Sequence, residues 1–204
     1  MNWLAHLLLS ENDIEYQHGN LLADLLKGRS WDGASERFID GLSMHRSIDA
    51  FTDRHPLVMT SKSRLRQGGR LKGVVIDITY DHLLACHWQH YAKTPLETFI
   101  ETFHSRSREQ LAGYPDVARA FLARLIESGH LMDYASIEGV ATAFRRIDRR
   151  LSPRVLAKER VADYLPLVTD AMPGIEEDFL GFMPDLIGHF KSTANLGSDN
   201  HWLR

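Results

Sequence analysis

Eight side chains in the first 82 residues could hold a divalent cation: His6, Asp24, His45, Asp49, Asp53, Asp77, Asp81 and His82. They are imidazoles and carboxylates with no thiolate among them, a set that suits Mg²⁺, Mn²⁺ or Fe²⁺ better than a structural zinc site. Such a centre lowers the pKa of bound water, polarises a phosphoryl oxygen and holds an ester in line for attack. Phosphate ester hydrolysis is its natural reaction.

Spacing gives these residues their weight. Read as a helix, His45, Asp49 and Asp53 recur every four positions and rise from nearly one face. Met44, Ile48 and Phe51 form the apolar stripe beside them, and Pro56 closes the segment. Two aspartates then fall in the last turns of a helix, where the backbone already presents negative charge. A cation over the carboxylates would relieve this; the alternative is a solvated polar face with an Arg46–Asp49 pair.

A second helix, Val74 to Tyr91, carries Asp77 and Asp81 inside its apolar stripe of Val74, Ile78, Leu84, Ala85 and Trp88. Two like charges one turn apart repel, and burial raises their proton affinity. Here the choice lies between a divalent cation and a polar network with Arg46, with His82 on the adjoining side. Asp24 sits among leucines in a short helix that Gly19-Asn20 opens and Gly28 stops. It is either paired or metal-bound, or it faces solvent. His6 lies among Trp3, Leu7 and Leu9 in a first helix capped by Asn2, as a satisfied core residue or as a ligand.

The elements that must position these groups read as helices throughout. Glu11 to His18 is expected to be a polar connection and Ser30 to Gly41 a loop. Apolar spacing of three and four then continues through Leu96 to Leu111, Pro115 to Gly129, Met132 to Leu151, Pro153 to Asp170 and Gly174 to Lys191. With no β pattern, repeat or phosphate-binding glycine loop, the fold class is all-α: a single-domain bundle over 1–192, with a frayed tail over 193–204. The 204 residues are 44% hydrophobic, enough for one sizeable core. A net charge of -3 with 25% charged residues gives no sign of a nucleic-acid binder. The single cysteine, Cys86, rules out an internal disulfide, fits a reducing cytoplasm, and is expected to be buried and inert. No signal peptide is readable, and no apolar run is long enough to span a bilayer.

Four segments carry a resemblance. They are Met1-Asn2-Trp3-Leu4-Ala5-His6-Leu7; Gly19-Asn20-Leu21-Leu22-Ala23-Asp24; Gly41 to Asp49 with Thr52-Asp53; and Asp77-Ile78-Thr79-Tyr80-Asp81-His82 with His87-Trp88. In this order they resemble the acyl carrier protein phosphodiesterase family, an atypical branch of the HD-type metal-dependent phosphohydrolases. The resemblance is strong to about residue 90 and looser to about 190. It implies an all-α enzyme using Mn²⁺ or Mg²⁺ that hydrolyses the phosphodiester between 4'-phosphopantetheine and a carrier-protein serine. Carried over by position, Asp24, His45, Asp81 and His82 are metal-site residues, with His6 and Asp49 beside them. The chain departs from the ordinary HD pattern, with Arg46 after His45 and with Asp81-His82 in reversed order.

On this reading Asp53 or Asp77 orients the attacking water, and Arg46 stabilises charge on the phosphoryl group. The partner is the holo carrier protein, with no nucleic acid or membrane involved. Carrier proteins are acidic, so Arg64, Arg66, Arg70 and Lys72, or Arg145, Arg146, Arg149 and Arg150, would steer it onto the site. The alternative for either patch is a solubilising surface. Two rivals stand beside this: a hydrolase of nucleotides or other small phosphoesters, and a non-catalytic helical module that binds the carrier.

Overall fold

A computed structural model describes residues 2–65, 69–193 and 202–204; Arg66, one of the expected basic contacts, lies outside the described residues. The chain is all-α. Among the described residues the only β feature is a single bridge between Ala92 and Leu203. The helices are α1 (Trp3–Leu8), α2 (Ile14–Leu22), α3 (Glu36–Arg54), α4 (Pro56–Arg64), α5 (Lys72–Cys86), α6 (Trp88–Tyr91) and α7 (Leu96–Gln110). Then follow α8 (Asp116–Ser128), α9 (His130–Asp133), α10 (Ile137–Asp148), α11 (Pro153–Leu156) and α12 (Leu165–Thr193), with 3-10 turns at Leu111–Gly113 and Val161–Tyr164.

Helix α5 is the axis of the bundle, packed against α1, α4, α10 and α12. Its residues Val75, Ile76, Ile78, Thr79, Tyr80, Asp81, Leu83 and Leu84 are all buried, so it has no solvent face along most of its length. Phe179, Phe182, Met183 and Leu186 of α12 line the same core.

Several boundaries differ from the sequence expectation, each for a local reason. Residues 11–18 are not a connection: the Asp13 carboxylate accepts the Tyr16 N–H at 2.9 Å and starts α2 at Ile14, so Gly19 and Asn20 lie inside the helix. Ser35 caps Phe38 N–H at 3.1 Å and starts α3 within the expected loop. The long helix expected from Pro153 to Asp170 breaks after Leu156, while α12 runs unbroken through Pro173 and Pro184. Burial of Val168, Ile175, Phe179 and Phe182 on one side of α12 outweighs the two lost backbone bonds. Nor is the C-terminus frayed at 202–204. Lys93 N–H donates to Trp202 O at 2.8 Å, Arg204 N–H to Tyr91 O at 2.9 Å, and Leu203 is buried. No helix among the described residues is long and apolar enough to cross a membrane.

One helix crossing sets up everything that follows. Helices α2 and α3 touch backbone to backbone at Gly19 and Gly41. A Cβ on Gly19 would lie 2.0 Å from Phe38 O, and one on Gly41 would lie 2.1 Å from Tyr16 O. Only glycine permits this approach. Asn20 follows Gly19 directly, and His45 and Asp49 lie one and two turns beyond Gly41.

Candidate metal centre

The crossing brings four of the expected residues together. His6 Nε2 lies 3.3 Å from Asp49 Oδ1, and His45 Nε2 lies 3.1 Å from Asp49 Oδ2 and 3.2 Å from Asp24 Oδ1. The two imidazoles stack with centroids 4.2 Å apart. Ligand atoms of His6, His45 and Asp49 all fall within 4.8 Å of one another. His6 and His45 are buried, Asp49 is half-exposed, and Asp24 stands at the rim in solvent. The cluster is therefore closed beneath by helix and open above.

The far nitrogen of each ring decides what the near one can do. His45 Nδ1 lies 2.7 Å from the main-chain oxygen of Asn20, which can only accept, so Nδ1 carries the proton. His6 Nδ1 lies 2.7 Å from Asn20 Oδ1 and likewise donates. A neutral ring in either position then aims a bare Nε2 lone pair at carboxylate oxygen. Lone pair against anion is repulsive unless a proton or a metal cation lies between them.

The protonation pattern follows. Burial opposes charge on His45, but the bonds to Asp24 and Asp49 outweigh it and hold the pKa up at about 9. Burial lowers the pKa of His6, leaving it neutral. Burial would raise Asp49, yet the hydrogen bond from His45 keeps its carboxyl well below the usual range. The hydrogen bond from His45 also lowers Asp24. Thus without a metal one proton on His45 serves two carboxylates. The donor set, two neutral imidazole Nε2 atoms and one or two carboxylates with both Nδ1 atoms anchored, fits a divalent cation.

Other expected site residues lie elsewhere. Asp81 is fully buried, but its carboxylate accepts Leu4 N–H at 2.8 Å and Ala5 N–H at 3.2 Å. It satisfies the open first turn of α1, and so holds the helix that carries His6 instead of pointing at the cluster. Burial pushes its pKa up to about 7 against those two donors. His82 donates from Nδ1 to Tyr134 O at 2.7 Å. Asp53 is exposed and paired with Lys62 at 3.1 Å. Asp77 is half-buried on α5, one turn before Asp81. Arg46 is exposed on α3, with its guanidinium near the Gly28 turn that follows Asp24. Cys86 is exposed rather than buried.

The two basic patches also part ways. Arg64 grips the buried Asp178 with Nε at 2.8 Å and Nη2 at 3.0 Å, so its charge is spent internally. Lys72 is half-buried, and the main chain at Arg70 is tied to Glu159. By contrast Arg145, Arg149 and Arg150 are exposed and form no ion pair among the described residues. Arg146 is not on the surface as expected: it lies over the Trp3 ring at 5.0 Å and 3.6 Å from Asp133. The sequence reads Asn20 only as part of a helix start, and neither its contacts with His6 and His45 nor the Gly19–Gly41 approach is expected from it. The available signal was the paired small residue one turn ahead of His45.

Comparison with known proteins follows the same line. The family model for acyl carrier protein phosphodiesterase matches residues 1–186. The acyl carrier protein phosphodiesterase of Pectobacterium atrosepticum is 30% identical over 152 residues, 74% of this chain and 79% of that protein. That of Photorhabdus laumondii is 31% identical over 159 residues, 77% of this chain and 80% of that protein. The Yersinia pestis protein of the same name is 28% identical over 189 residues, 92% of this chain and 96% of its own. No solved structure matches.

Proposed function

The chain belongs to the acyl carrier protein phosphodiesterase family, and from that premise we propose that it hydrolyses the 4'-phosphopantetheine phosphodiester of holo acyl carrier protein. Water attacks phosphorus, the bond to the carrier serine oxygen breaks, and apo carrier protein and phosphopantetheine leave. The observation that carries a metal-dependent reading is the pair of Nδ1-anchored histidines aiming Nε2 at the shared carboxylate of Asp49. His6, His45 and Asp49 would hold the ion, with Asp24 at the rim. Mn²⁺ or Mg²⁺ is the proposed ion, with Fe²⁺ open to the same donors. Bound there, it would supply a water of lowered pKa and neutralise charge on the phosphoryl oxygens.

The chain's own groups do the rest. Asp24, exposed and beside His45, is better placed than Asp53 to orient the attacking water, because Asp53 is engaged by Lys62. Arg46, exposed next to His45, is proposed to donate paired N–H groups to the non-bridging oxygens. Asp77 is kept as a second candidate for the water. Asp81 and His82 are proposed as supports of α1 and α5 rather than ligands. The carrier protein is proposed to dock on Arg145, Arg149 and Arg150, whose charge is uncommitted, and not on Arg64. A cytoplasmic location and kinship with the HD-type phosphohydrolases are proposed with it.

The test is intact mass of holo carrier protein after incubation with chelated protein, with and without added Mn²⁺. Loss of the phosphopantetheine mass only with metal supports the proposal. Turnover of free nucleotides with the carrier left intact would favour the small-phosphoester reading. An intact carrier and no bound metal would leave a binding module.

A further inference from the structure

Building on the divalent-cation reading above, we infer that Asn20 is a positioning residue for the metal centre. Its side-chain oxygen takes the Nδ1 proton of His6 and its main-chain oxygen takes that of His45, which turns both Nε2 atoms toward Asp49.

The assignment follows from counting protons among these buried groups. Asn20 is fully buried, and His6 and Ser10 are buried beside it. Ser10 Oγ donates its one proton to His6 O at 2.8 Å. Asn20 Nδ2 lies 2.9 Å from Ser10 Oγ and 2.9 Å from His6 O, so its two protons go to those two acceptors. A flipped amide would set its oxygen against the His6 carbonyl, with no proton between them. Oδ1 must therefore face His6 Nδ1, at 2.7 Å, and Nδ1 must donate. For His45 the acceptor is main-chain oxygen, which has no alternative role. The result is a proton on Nδ1 in both rings, set by one residue placed where α2 crosses α3. Metal-bound histidines commonly have such a partner on the far nitrogen, and losing it typically weakens metal binding about 10–100-fold.

Three variants separate positioning from mere packing. Asn20→Leu and Asn20→Ala remove the side-chain acceptor and both donors. Asn20→Asp keeps an acceptor for His6 Nδ1 but loses the donors to His6 O and Ser10. All three should lower stability. Only Leu and Ala should weaken Mn²⁺ binding, by about 10–100-fold, with Asp remaining within a few-fold of wild type.

The wild-type protein provides a measurement that needs no variant. Two-bond ¹H–¹⁵N spectra of the metal-free protein at about pH 8, above the usual histidine pKa, should show neutral His6 protonated at Nδ1. A proton on His6 Nε2 would overturn the inference. So would a folded Asn20→Leu that binds Mn²⁺ like wild type, or an Asn20→Asp that loses as much affinity as Asn20→Leu. If wild type binds no Mn²⁺, the cation reading fails, while the spectra still decide how Asn20 sets the rings.

Discussion

Adding one methyl group at Gly41 should dismantle the centre from a distance. In Gly41→Ala the new Cβ would stand 2.1 Å from Tyr16 O and 2.8 Å from Asn20 N. Carbon and carbonyl oxygen approach to about 3.3 Å at closest in ordinary contacts, so α2 and α3 must part by about 1.2 Å. The His45 Nδ1 to Asn20 O bond, now 2.7 Å, crosses the same gap one turn away. Opened by that amount, it exceeds hydrogen-bond range of roughly 3.2 Å. His45 then loses its anchor, and Nε2 is no longer fixed toward Asp24 and Asp49. Overpacking of this kind costs about 1–3 kcal/mol, against a helix-propensity gain of up to about 1 kcal/mol for replacing glycine. Metal affinity should fall about 10–100-fold, the usual consequence of losing a ligand's outer hydrogen bond. The assay is Mn²⁺ titration with free ion read by electron paramagnetic resonance, beside urea unfolding of the same sample. Gly188→Ala is the control: nothing lies within 4 Å of its Cβ position, so affinity should hold and stability should not fall. A folded Gly41→Ala that binds Mn²⁺ as tightly as wild type would refute the dependence of the centre on this crossing.

Other outcomes follow from the same geometry. Asp81→Asn should destabilise by about 1–3 kcal/mol, by weakening acceptance from Leu4 and Ala5 N–H, yet leave metal stoichiometry unchanged; Asp49→Asn should reduce metal binding sharply. Loss of stoichiometry in Asp81→Asn, measured by elemental analysis, would restore Asp81 as a ligand. Arg149→Glu with Arg150→Glu should slow association with carrier protein and flatten its salt dependence, without changing hydrolysis of a small phosphodiester; an unchanged salt slope in stopped-flow binding would contradict this. His18 donates and accepts between Tyr114 Oη and Ser107 Oγ at 2.8 Å each, and burial lowers its pKa from 6.5 to about 3. Between those values only the unfolded chain takes up the proton, so stability falls with pH there, by up to about 1.4 kcal/mol per unit. Asp81, raised to about 7, acts in the opposite sense: the folded chain keeps its proton between the ordinary carboxylate value and pH 7, and stability falls as pH rises there. Urea unfolding of His18→Gln should therefore lose wild type's acid sensitivity between about pH 6.5 and 4. Parallel pH profiles for the two proteins would exclude a buried neutral His18.

How much of this was legible in the chain depended on how local each cause is. His45 and Asp49 are one turn apart on a single helix, so their shared face is written in the spacing, and the structure brings their side chains within 3.1 Å. Asp81 was correctly read as an inward-facing acid. Its partner, the first turn of α1, lies 77 residues away, and periodicity cannot tell a helix N-terminus from a cation as the source of positive potential. The start of α2 falls inside the expected polar connection because the polar residue Asp13 acts there as a cap for the Tyr16 N–H. The separation expected between Asp170 and Gly174 is absent because the burial that holds α12 together comes from other helices. The role of Asn20 toward the histidines is hidden for a related reason. One of its two contacts with the centre is made through the main chain, which no side-chain pattern encodes.

Crystals soaked in Mn²⁺ and measured for anomalous scattering test the central claim most directly. The account predicts a peak at coordination distance from His6 Nε2, His45 Nε2 and an oxygen of Asp49, with Asp24 beside it. A peak at Asp81 and His82 with none at His45, or no peak at all from an active protein, would contradict it.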